Sequence, residues 1–400
     1  MKVLLVNDFG SRVGGAESYF FTIRDGLCKA GDEVRTVSSD RIIDGAPMLT
    51  DYQLPHCGNF RNLDSYFNPV SYWAMRRVIA EFTPDVVHFN NVFYALSPSV
   101  LLATMSVPSV MTLHDYYPIC ATDKRVNDGA ICHQEFSGCR EGCMVRPDHR
   151  AQRVRRWIIR RALGRVAKLI APSTYLKEAF ALNGIYNART IQHYCETGGA
   201  SDRPVNETPS ATEPLRFLYL GRLVEQKGID ILVRAFAAFV RNGNSTARLA
   251  IAGRGLLESE VNRLIFELNL SENVEMLGWI SGDQKIDAIE AATAIVVPSR
   301  WAEVAGLSAY ESARLGRPTI ASRVGGLPEF VNHDVSGLLF ENESVSELAQ
   351  CMQRFVDDPS LTARLGAAAR DKALGQSVAT YVVQLRSVYA GVLEGATSAG

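Results

Sequence analysis

The fold is decided by residues 298–329, which read PSRWAEVAGLSAYESARLGRPTIASRVGGLPE and directly follow a short apolar run at 294–297. Such a run is typical of a strand buried in a parallel sheet. Gly306 then begins a helical segment that ends near Gly316, because a glycine followed by arginine and proline stops a helix. A second apolar run at 318–321 completes a strand–loop–helix–strand unit. The stretch therefore predicts a parallel α/β architecture.

Two carboxylates lie within this unit, Glu303 in the loop and Glu311 more than one turn inside the helix. The N–H groups at the helix start, Gly306 and Leu307, have no intrahelical partner and can hold a phosphate. Glu311 is better suited to accept hydrogen bonds from two ribose hydroxyls, and Glu303 would face another part of the ligand. The alternative is that both are surface glutamates on an ordinary βαβ unit. For either glutamate considered alone, this alternative would be the favoured interpretation.

The length of the chain, 400 residues, is too great for one compact core and predicts two domains. The net charge of −1 gives no overall field for binding nucleic acid. The apolar run at residues 1–8 is too short for a signal peptide, and no run is long enough to span a membrane. We therefore expect a cytoplasmic protein, either dissolved or resting on the inner face of the membrane, with no nucleic-acid partner.

The N-terminal half begins with a strand at 3–6, a loop that ends in Gly14 and Gly15, and a helix over 17–29. This layout lets a backbone approach a phosphate. The spacing is not G-x-G-x-x-G, so the dinucleotide fingerprint is absent. The glycine pair is therefore either a phosphate-approaching loop or only a tight turn.

Strands and helices alternate through the rest of this half, which predicts a doubly wound parallel sheet with ligands at the carboxyl ends of its strands. His114 and Asp115 fall at such an end, so His114 is either a catalytic residue or a structural one. The further strands are expected at 33–38, 85–89, 109–114 and 168–172, and helices at 72–81 and 174–182.

A polar, cysteine-rich segment interrupts this pattern, and Asn127 begins an Asn-Asp-Gly turn within it. Four thiolates could hold a structural zinc ion in a closed tetrahedral site with no open position for chemistry. The spacing lacks a C-x-x-C knuckle, so a loop with unmetallated thiols is the alternative. The four candidate ligands are Cys120, Cys132, Cys139 and Cys143.

A strongly basic helix is predicted over 146–168, with tryptophan beside an apolar stripe. Such a helix can lie on an anionic membrane or hold a polyanionic acceptor, and the alternative is a core-packed helix with a solvated basic face. The residues that would contact membrane or acceptor are Arg153, Arg156, Trp157 and Arg160. The apolar stripe comprises Val154, Ile158, Ala162 and Val166.

A segment rich in Gly, Ser, Thr and Pro at 196–214 predicts a linker between domains. After it, a strand at 215–220 leads to Arg222 and, five residues later, Lys227 before a helix. Two fixed cations at a strand end suit a diphosphate and can neutralise it without a metal. A solvated turn is the alternative, and the nearby glutamates favour the site.

The later elements predict a second Rossmann-like sheet, with strands at 248–252, 273–277 and 294–297 and helices at 229–239, 256–268 and 282–292. A final amphipathic helix over 378–393 could cross back onto the first domain. We therefore expect an N-terminal domain, 1–200, that carries the cysteine insertion at 116–147 and is completed by 378–400. The C-terminal domain is expected at 212–377.

These motifs together resemble glycosyltransferase family 4, over nearly the whole chain. The motifs that carry the resemblance are Gly221-Arg222, Lys227-Gly228, the E-x7-E pair Glu303 and Glu311, and the run Gly325-Gly326-Leu327-Pro328-Glu329. The resemblance implies a GT-B fold, in which two Rossmann-like domains face each other across a cleft. It also implies transfer of a sugar from a UDP- or GDP-sugar, with retention of anomeric configuration and no cofactor.

The resemblance also implies roles for single residues. Arg222 and Lys227 would bind the donor diphosphate, Glu303 the donor sugar near its reacting carbon, and Glu311 the ribose. Gly14 and Gly15 lie in the loop that would approach the diphosphate or the acceptor, and His114 would lie near the transferred sugar. Two positions depart from the family pattern: Ala305 replaces a common aromatic residue, and residues 194–196 lack the usual Asn-Gly turn.

We expect the acceptor to be a saccharide linked to a polyprenyl diphosphate, as in cell-envelope polysaccharide assembly, because the basic helix could rest on the inner membrane face. A soluble acceptor is the main alternative. Outside this class stand a non-catalytic nucleotide-sugar-binding protein, a nucleotide-sugar epimerase and a dinucleotide oxidoreductase. The absent dinucleotide fingerprint argues against the last of these.

Overall fold

The computed structural model describes residues 1–12, 14–43, 45–57, 66–120, 126–127, 130–132, 149–194 and 214–397. By their internal contacts these divide into two compact units. The first comprises the described residues of Met1–Arg125, His133–Gln192 and Val378–Gly400, and the second those of Val126–Cys132 and His193–Ser377. The predicted linker at 196–214 lies outside the described residues except for Pro214.

The first unit is built on a seven-stranded parallel sheet with the order β3-β2-β1-β4-β5-β8-β9. Its central strands are buried along their whole length, as the short apolar runs predict. The strands of this half are β1 (Lys2–Val6), β2 (Glu33–Ser39), β3 (Tyr52–Leu54), β4 (Val86–Phe89), β5 (Ser109–Thr112), the separate antiparallel pair β6 (Val126–Asn127) and β7 (Ala130–Ile131), β8 (Lys168–Ala171) and β9 (Ala188–Thr190).

Helices connect these strands and cover the sheet. They are α1 (Gly15–Lys29), α2 (Pro69–Phe82), α3 (Ser99–Leu102), α4 (His149–Leu163) and α5 (Thr174–Ala181). Asn68 begins α2 by accepting the backbone N–H groups of Val70 and Ser71, and Ser173 caps α5 through Leu176.

The second unit has a six-stranded parallel sheet with the order β12-β11-β10-β13-β14-β15. Its strands are β10 (Arg216–Leu220), β11 (Arg248–Ala252), β12 (Val274–Gly278), β13 (Ala294–Val297), β14 (Thr319–Ser322) and β15 (Gly337–Phe340). Its helices are α6 (Ile229–Arg241), α7 (Glu258–Glu267), α8 (Gly282–Glu290), α9 (Leu307–Arg314), α10 (Leu327–Phe330), α11 (Val345–Asp357) and α12 (Leu361–Leu374). A single 3-10 turn, Glu225–Lys227, precedes α6.

Successive residues of the central strands enter two apolar cores, one on each face of this sheet. Phe217 on β10 packs with Phe236 and Phe239 of α6. The next residue, Leu218, lies in the opposite core with Ile295 of β13. A sheet covered on both faces explains why its strands read as continuous apolar runs rather than as alternating patterns.

Both sheets reverse their strand order at one point, between β1 and β4 in the first unit and between β10 and β13 in the second. At such a point the connections leave in opposite directions, and a crevice opens at the carboxyl ends of the two strands. The two Rossmann-like sheets thus each provide a crevice whose lining residues follow those four strands.

The last helix, α13 (Val378–Thr397), belongs to the first unit and packs against α1. Gly26 of α1 allows this approach, since a Cβ atom there would lie 2.8 Å from Val382 Cγ2. No helix in the described part of the chain is both long enough and apolar enough to cross a membrane.

One sequence prediction for α4 is wrong. Val154, assigned to the apolar stripe, is exposed, whereas Ala162 and Val166 of the same stripe are buried. Ile159 and Leu163, which were not assigned to the stripe, are buried as well. Ile158 and Ile159 are adjacent and both apolar, so the sequence pattern does not decide which of them lies on the buried face of the helix. In the structure Ile159 is the buried one.

Candidate functional site

The crevice of the second unit contains an ion pair between two of the predicted residues. Lys227 ends the 3-10 turn after β10, and Glu303 lies in the loop after β13. The Lys227 Nζ lies 2.6 Å from Glu303 Oε1. The two residues are 76 positions apart in sequence, and they meet because β10 and β13 are adjacent and parallel, so that both loops emerge at one edge of the sheet.

Glu303 is buried, with 5% of its surface exposed, and yet it is held ionised. Burial raises its pKa, but the charge and hydrogen bond of Lys227 and hydrogen bonds from Ser299 and Trp301 outweigh burial, so the pKa lies below its usual value. Lys227 also lies over the Trp301 ring, 5.5 Å from its centroid. The carboxylate is therefore a fixed negative charge in a place that excludes most water.

The glycine turn after β14 packs closely against the loop that carries Glu303. Gly325 has φ of +57°, and a Cβ atom there would lie 2.4 Å from both Glu303 N and Glu303 O. Gly326 donates its N–H to the Glu303 carbonyl at 2.7 Å. Only glycine satisfies both the left-handed backbone and the close approach, so this turn fixes where the Glu303 backbone lies.

Gly306, with φ of +60°, begins α9 and offers no side-chain cap. The Leu307 N–H therefore remains a donor for a ligand, whereas the Ala309 N–H donates to the Gly306 carbonyl at 2.9 Å. Glu311, one turn further along α9, forms an ion pair with Lys285 of α8, with Nζ and Oε1 2.7 Å apart. No local pattern points to Lys285, because its partner is 26 residues away.

Arg222 follows β10 at the same edge of the sheet, and its side chain is exposed. Within the described residues it has no acidic partner. Its carbonyl accepts the hydroxyl of Tyr219 at 2.8 Å. Burial and the charge of Glu303 raise the pKa of Tyr219, whereas Arg222 lowers it, so both charges act on that hydroxyl. Arg222 thus supplies a cation that no carboxylate of the described residues neutralises.

In the first unit, His114 follows β5, and its Nε2 lies 3.0 Å from Asn90 Oδ1. The ring contacts Tyr19 edge to face, with centroids 4.8 Å apart. Burial lowers the pKa of His114 to about 3, so the imidazole is neutral near pH 7. A neutral ring can donate one hydrogen bond and accept another.

The glycine loop lies at the same edge of the first sheet. Gly14, in an extended conformation, caps α1, and Gly15 is its first residue. A Cβ atom on Gly14 would lie 2.8 Å from Glu17 Oε2. Asp8, which the sequence analysis did not select, is buried at the end of β1 and accepts the backbone N–H groups of residues 94–96. It fixes the loop that follows β4.

The basic helix presents Trp157 and Arg160 to solvent, with Trp157 60% exposed. The Arg161 guanidinium lies 5.0 Å from the Trp157 ring centroid. Arg153 and Arg156 lie within α4, but their side chains are outside the described part of the structure.

Of the four cysteines proposed as zinc ligands, Cys120 and Cys132 are described, whereas Cys139 and Cys143 lie outside the described residues. Within the described ranges, no three His, Cys, Asp or Glu residues are grouped so that they could hold a metal ion. The zinc site therefore stays a prediction.

The family model "Glycosyltransferase Family 4" matches residues 13–193, and "Glycosyl transferases group 1" matches residues 202–372. Together the two models cover both units of the chain.

Among curated relatives, an uncharacterized glycosyltransferase of Methanocaldococcus jannaschii is 33% identical over 141 residues, 35% of each chain. The glycogen synthase of Mycobacterium tuberculosis is 26% identical over 373 residues, 90% of this chain and 84% of that one. A GDP-mannose-dependent phosphatidylinositol monomannoside mannosyltransferase of M. tuberculosis is 25% identical over 392 residues, covering 92% and 93% of the two chains.

Among solved structures, sucrose-phosphate synthase of Thermosynechococcus elongatus superposes with a TM-score of 0.75 at 21% identity, covering 99% of this chain and all of that one. HepE of Anabaena in complex with UDP gives 0.71 at 19% identity, covering 98% and 100%. These likenesses show a GT-B fold of two Rossmann-like domains. With the two family models, they lead to one conclusion: the chain belongs to glycosyltransferase family 4 and is a glycosyltransferase.

Proposed function

We propose that the protein moves a sugar from a nucleoside-diphosphate sugar to a saccharide acceptor with retention of anomeric configuration. The observation that carries this proposal is the contact between Lys227 and Glu303 beside the uncapped start of α9. All three groups lie at one edge of the sheet. The buried carboxylate suits the sugar of such a substrate, which offers hydroxyl groups. The cation and the backbone N–H groups suit its diphosphate, which carries two negative charges.

The diphosphate would be held by Arg222, Lys227 and the N–H groups of Gly306 and Leu307. Arg222 supports this role because no described carboxylate neutralises it. As the bond from the anomeric carbon to the diphosphate oxygen breaks, negative charge grows on that oxygen. Fixed donors aimed at a growing charge stabilise the transition state without a metal. The acceptor oxygen forms the new bond on the same face, and its proton passes to the departing phosphate oxygen.

Glu303 would hold the transferred sugar. One of its oxygens already accepts from Lys227 and Ser299. An ionised carboxylate accepts about four hydrogen bonds, so Glu303 retains capacity for sugar hydroxyls. Glu311 would accept the ribose hydroxyls, and Lys285 would orient it.

In the first unit, Gly14 and Gly15 would let the backbone approach the diphosphate or the acceptor. We assign His114 a hydrogen bond to the transferred sugar. Its low pKa supports this role, because a neutral imidazole does not compete with Arg222 and Lys227 for the diphosphate.

The test replaces Lys227 with alanine and supplies donor and acceptor. Removing one donor to the growing charge should lower kcat/KM by about 100-fold or more. The matched control is Arg263→Ala, which removes an exposed cation of the same unit from an ion pair of similar length, 2.7 Å to Glu267. Equal turnover in the two variants would refute the diphosphate role. Donor binding by the wild type without transfer to any acceptor would instead favour a non-catalytic binding protein.

We propose a UDP- or GDP-sugar as donor, because HepE of similar fold binds UDP and the related mannosyltransferase depends on GDP-mannose. A thermal-shift screen of nucleotide-sugars would identify the base, since a ligand that binds the folded state raises its apparent stability.

The acceptor we propose is a saccharide on a polyprenyl diphosphate, reached from a peripheral position on the inner membrane face. The exposed Trp157 among the arginines of α4 supports membrane contact, as does a related mannosyltransferase that acts on a phosphatidylinositol mannoside. Flotation with anionic vesicles should recover the wild type but much less Trp157→Ala. Full transfer to soluble saccharides, with no flotation of the wild type, would favour the soluble acceptor.

For the cysteine segment we keep structural zinc as the proposal and unmetallated thiols as the alternative. Metal analysis of the protein purified without added metal decides between them. One zinc per chain, lost in a Cys139→Ser, Cys143→Ser variant, is the expected result, and a metal-free wild type would reject it.

A further inference from the structure

The first unit contains a groove of about 780 Å³ that the proposed reaction does not use. It lies where β5, β8 and β9 begin, and the last turns of α13 form one wall. Its lining includes the segment 104–109, Arg165, Lys168, Arg189 and the face of α13 that carries Gly391 and Gly395.

The charge of this groove is one-sided. Three cations, Arg165, Lys168 and Arg189, line it, and none of its described lining residues is acidic. None of the three makes an ion pair within the described parts of the chain. Three unneutralised cations around one hollow favour an anion with several oxygens, such as a phosphate.

The helix wall keeps the hollow open. A Cβ atom on Gly391 or Gly395 would meet no atom within 4 Å. Glycine inside a helix costs about 1 kcal/mol relative to alanine, so neither packing nor backbone conformation explains these two residues. Their effect is to leave room beside the cations.

The groove is distinct from the proposed reaction site. Its residues precede β5 and β8 or begin them, whereas His114 follows the other end of β5. A four-residue strand is about 13 Å long, so the groove and His114 lie at opposite edges of one sheet. A ligand in the groove would not be the reacting sugar.

The groove lies beside the carboxyl end of α4, since Gly164 and Arg165, which follow the helix, line it. Arg165 follows that helix within two residues, and the helix exposes Trp157, Arg160 and Arg161. On the other side, Met105 is 65% exposed at the rim. An apolar rim beside a cationic hollow suits a ligand whose phosphate is joined to a hydrocarbon body.

We propose that this groove binds the phosphate headgroup of an anionic membrane phospholipid and so anchors the N-terminal unit to the membrane. Charge complementarity selects the occupant: the three cations suit a phosphate, and the exposed Met105 at the rim suits the acyl chains attached to it. The inference rests on the peripheral membrane position proposed above but not on sugar transfer, because it concerns binding at the edge of the sheet away from His114.

The first experiment measures binding to vesicles of phosphatidylcholine with and without phosphatidylglycerol. Near an anionic surface each lysine or arginine is worth about a fivefold change in binding. The variant Arg165→Gln, Lys168→Gln, Arg189→Gln should therefore bind the anionic vesicles on the order of 100-fold more weakly. The matched control is Lys29→Gln, Arg41→Gln, Lys177→Gln, three exposed cations of the same unit that do not line the groove. An equal loss in both variants would overturn the proposal, since it would show a general charge effect.

The second experiment fills the groove without changing charge. Gly391→Leu and Gly395→Leu place side chains in the open space and should raise helix propensity, so folding is expected to survive. We expect at least a tenfold loss of binding to phosphatidylglycerol vesicles with unchanged far-UV circular dichroism. Undiminished binding by both leucine variants would show that the headgroup does not enter the groove.

A competition arm separates a lipid headgroup from a free phosphate. Glycerol phosphate or inorganic phosphate is added at millimolar concentration, both to the free protein and to the protein on vesicles. If either compound binds the free protein and also displaces it from the vesicles, the site is one for soluble phosphates and the lipid assignment fails. Failure of the proposed function would appear elsewhere, as absent transfer by a protein that still binds these vesicles.

Discussion

Lys285 of α8 holds the carboxylate of Glu311 at 2.7 Å, across the carboxyl edge of the second sheet. The pair is partly buried, with 28% of the lysine side chain and 19% of the glutamate side chain exposed. A carboxylate so restrained presents its remaining lone pairs in a fixed direction. Lys285 is therefore a positioning residue for the ribose contact that we propose for Glu311.

The first prediction concerns ribose recognition. With Lys285→Ala, affinity for the preferred nucleoside diphosphate should fall about fivefold, since one charge-assisted hydrogen bond that orients Glu311 is lost. The ratio of affinities for the ribonucleotide and its 2′-deoxy analogue should fall with it, as measured by titration calorimetry.

Two further variants complete this test. Lys285→Arg should restore part of the discrimination, and Glu311→Ala should abolish it. If Lys285→Ala discriminates the two sugars as the wild type does, Lys285 does not act through Glu311. If Glu311→Ala also discriminates, the ribose assignment itself is wrong.

The second prediction concerns pH. The pKa of Glu303 lies below its ordinary value of 4.5, so its ion pair stabilises the protein above that value and the contribution is lost as the pH falls through the folded pKa. In Lys227→Met, only the hydrogen bonds from Ser299 and Trp301 still oppose burial, so the pKa of Glu303 rises relative to the wild type. The folded variant then takes up a proton and gains stability, relative to the wild type, as the pH falls from neutrality towards 4.5.

The stability deficit of Lys227→Met should therefore be widest, about 2–4 kcal/mol, near pH 7–8 and narrower near pH 5. Denaturant unfolding over this pH range measures it. In the double variant Lys227→Met, Glu303→Gln the pH dependence of the deficit should vanish. A deficit that is constant with pH would mean that Lys227 does not control the ionisation of Glu303.

The third prediction uses two glycines with the same backbone requirement. Gly325 and Gly243 both have positive φ, but a Cβ atom on Gly325 would collide with the Glu303 backbone, and one on Gly243 would meet nothing within 4 Å. Alanine at either position should cost roughly 1–2 kcal/mol of stability for the left-handed backbone. Only Gly325→Ala should lower kcat, by about 100-fold, because it displaces the Glu303 loop. Similar kcat values for the two variants would contradict the proposed role of this turn.

The fourth prediction concerns a buried polar chain in the first unit. His88 lies 2.7 Å from the Tyr389 hydroxyl through Nδ1 and 2.8 Å from Thr112 Oγ1 through Nε2. Thr112 in turn contacts the Tyr19 hydroxyl at 3.1 Å, and that hydroxyl contacts Tyr381. Burial, with a smaller contribution from His114, lowers the pKa of His88 from 6.5 to about 3.

Because the unfolded chain binds this proton below pH 6.5 and the folded chain does not until about pH 3, stability must fall as the pH drops between those values. His88→Gln removes one such proton, so the slope of unfolding free energy against pH should decrease by about 1.4 kcal/mol per pH unit. Tyr389→Phe is the control: it should cost about 1 kcal/mol at every pH and keep the slope. An unchanged slope in His88→Gln would show that His88 is not buried as a neutral group.

Much of the fold could be predicted from short apolar runs, because strands covered on both faces are apolar throughout. The strands at 248–252 and 294–297 were placed at both ends. Three strands of the two large sheets were not predicted. β3 and β9 have three residues each and only partial burial, so they carry almost no apolar signal. β15, GLLF, is buried, but it is short, begins with a glycine and directly follows the turn at 334–336, so its run was not separated from the loop.

The candidate site was predicted as residue types at strand ends, and the structure of the second unit brings Lys227 and Glu303 together. What the sequence did not contain was the partner of each charge. Lys285 is 26 residues from Glu311, and Arg317, interpreted as a helix stop, is buried and donates to the Glu290 carbonyl. Such pairs depend on which elements become neighbours, and a local pattern does not record that.

The position of α13 has a consequence for biosynthesis. The ribosome releases the N-terminal strands first. Tyr381 and Tyr389, the two tyrosines of α13 that complete the buried hydrogen-bond chain around His88, are made almost last. The whole second unit can therefore finish folding while the first still waits for its closing helix. Translation products that stop short of residue 378 should therefore contain a folded second unit and an incompletely folded first unit that depends on chaperones.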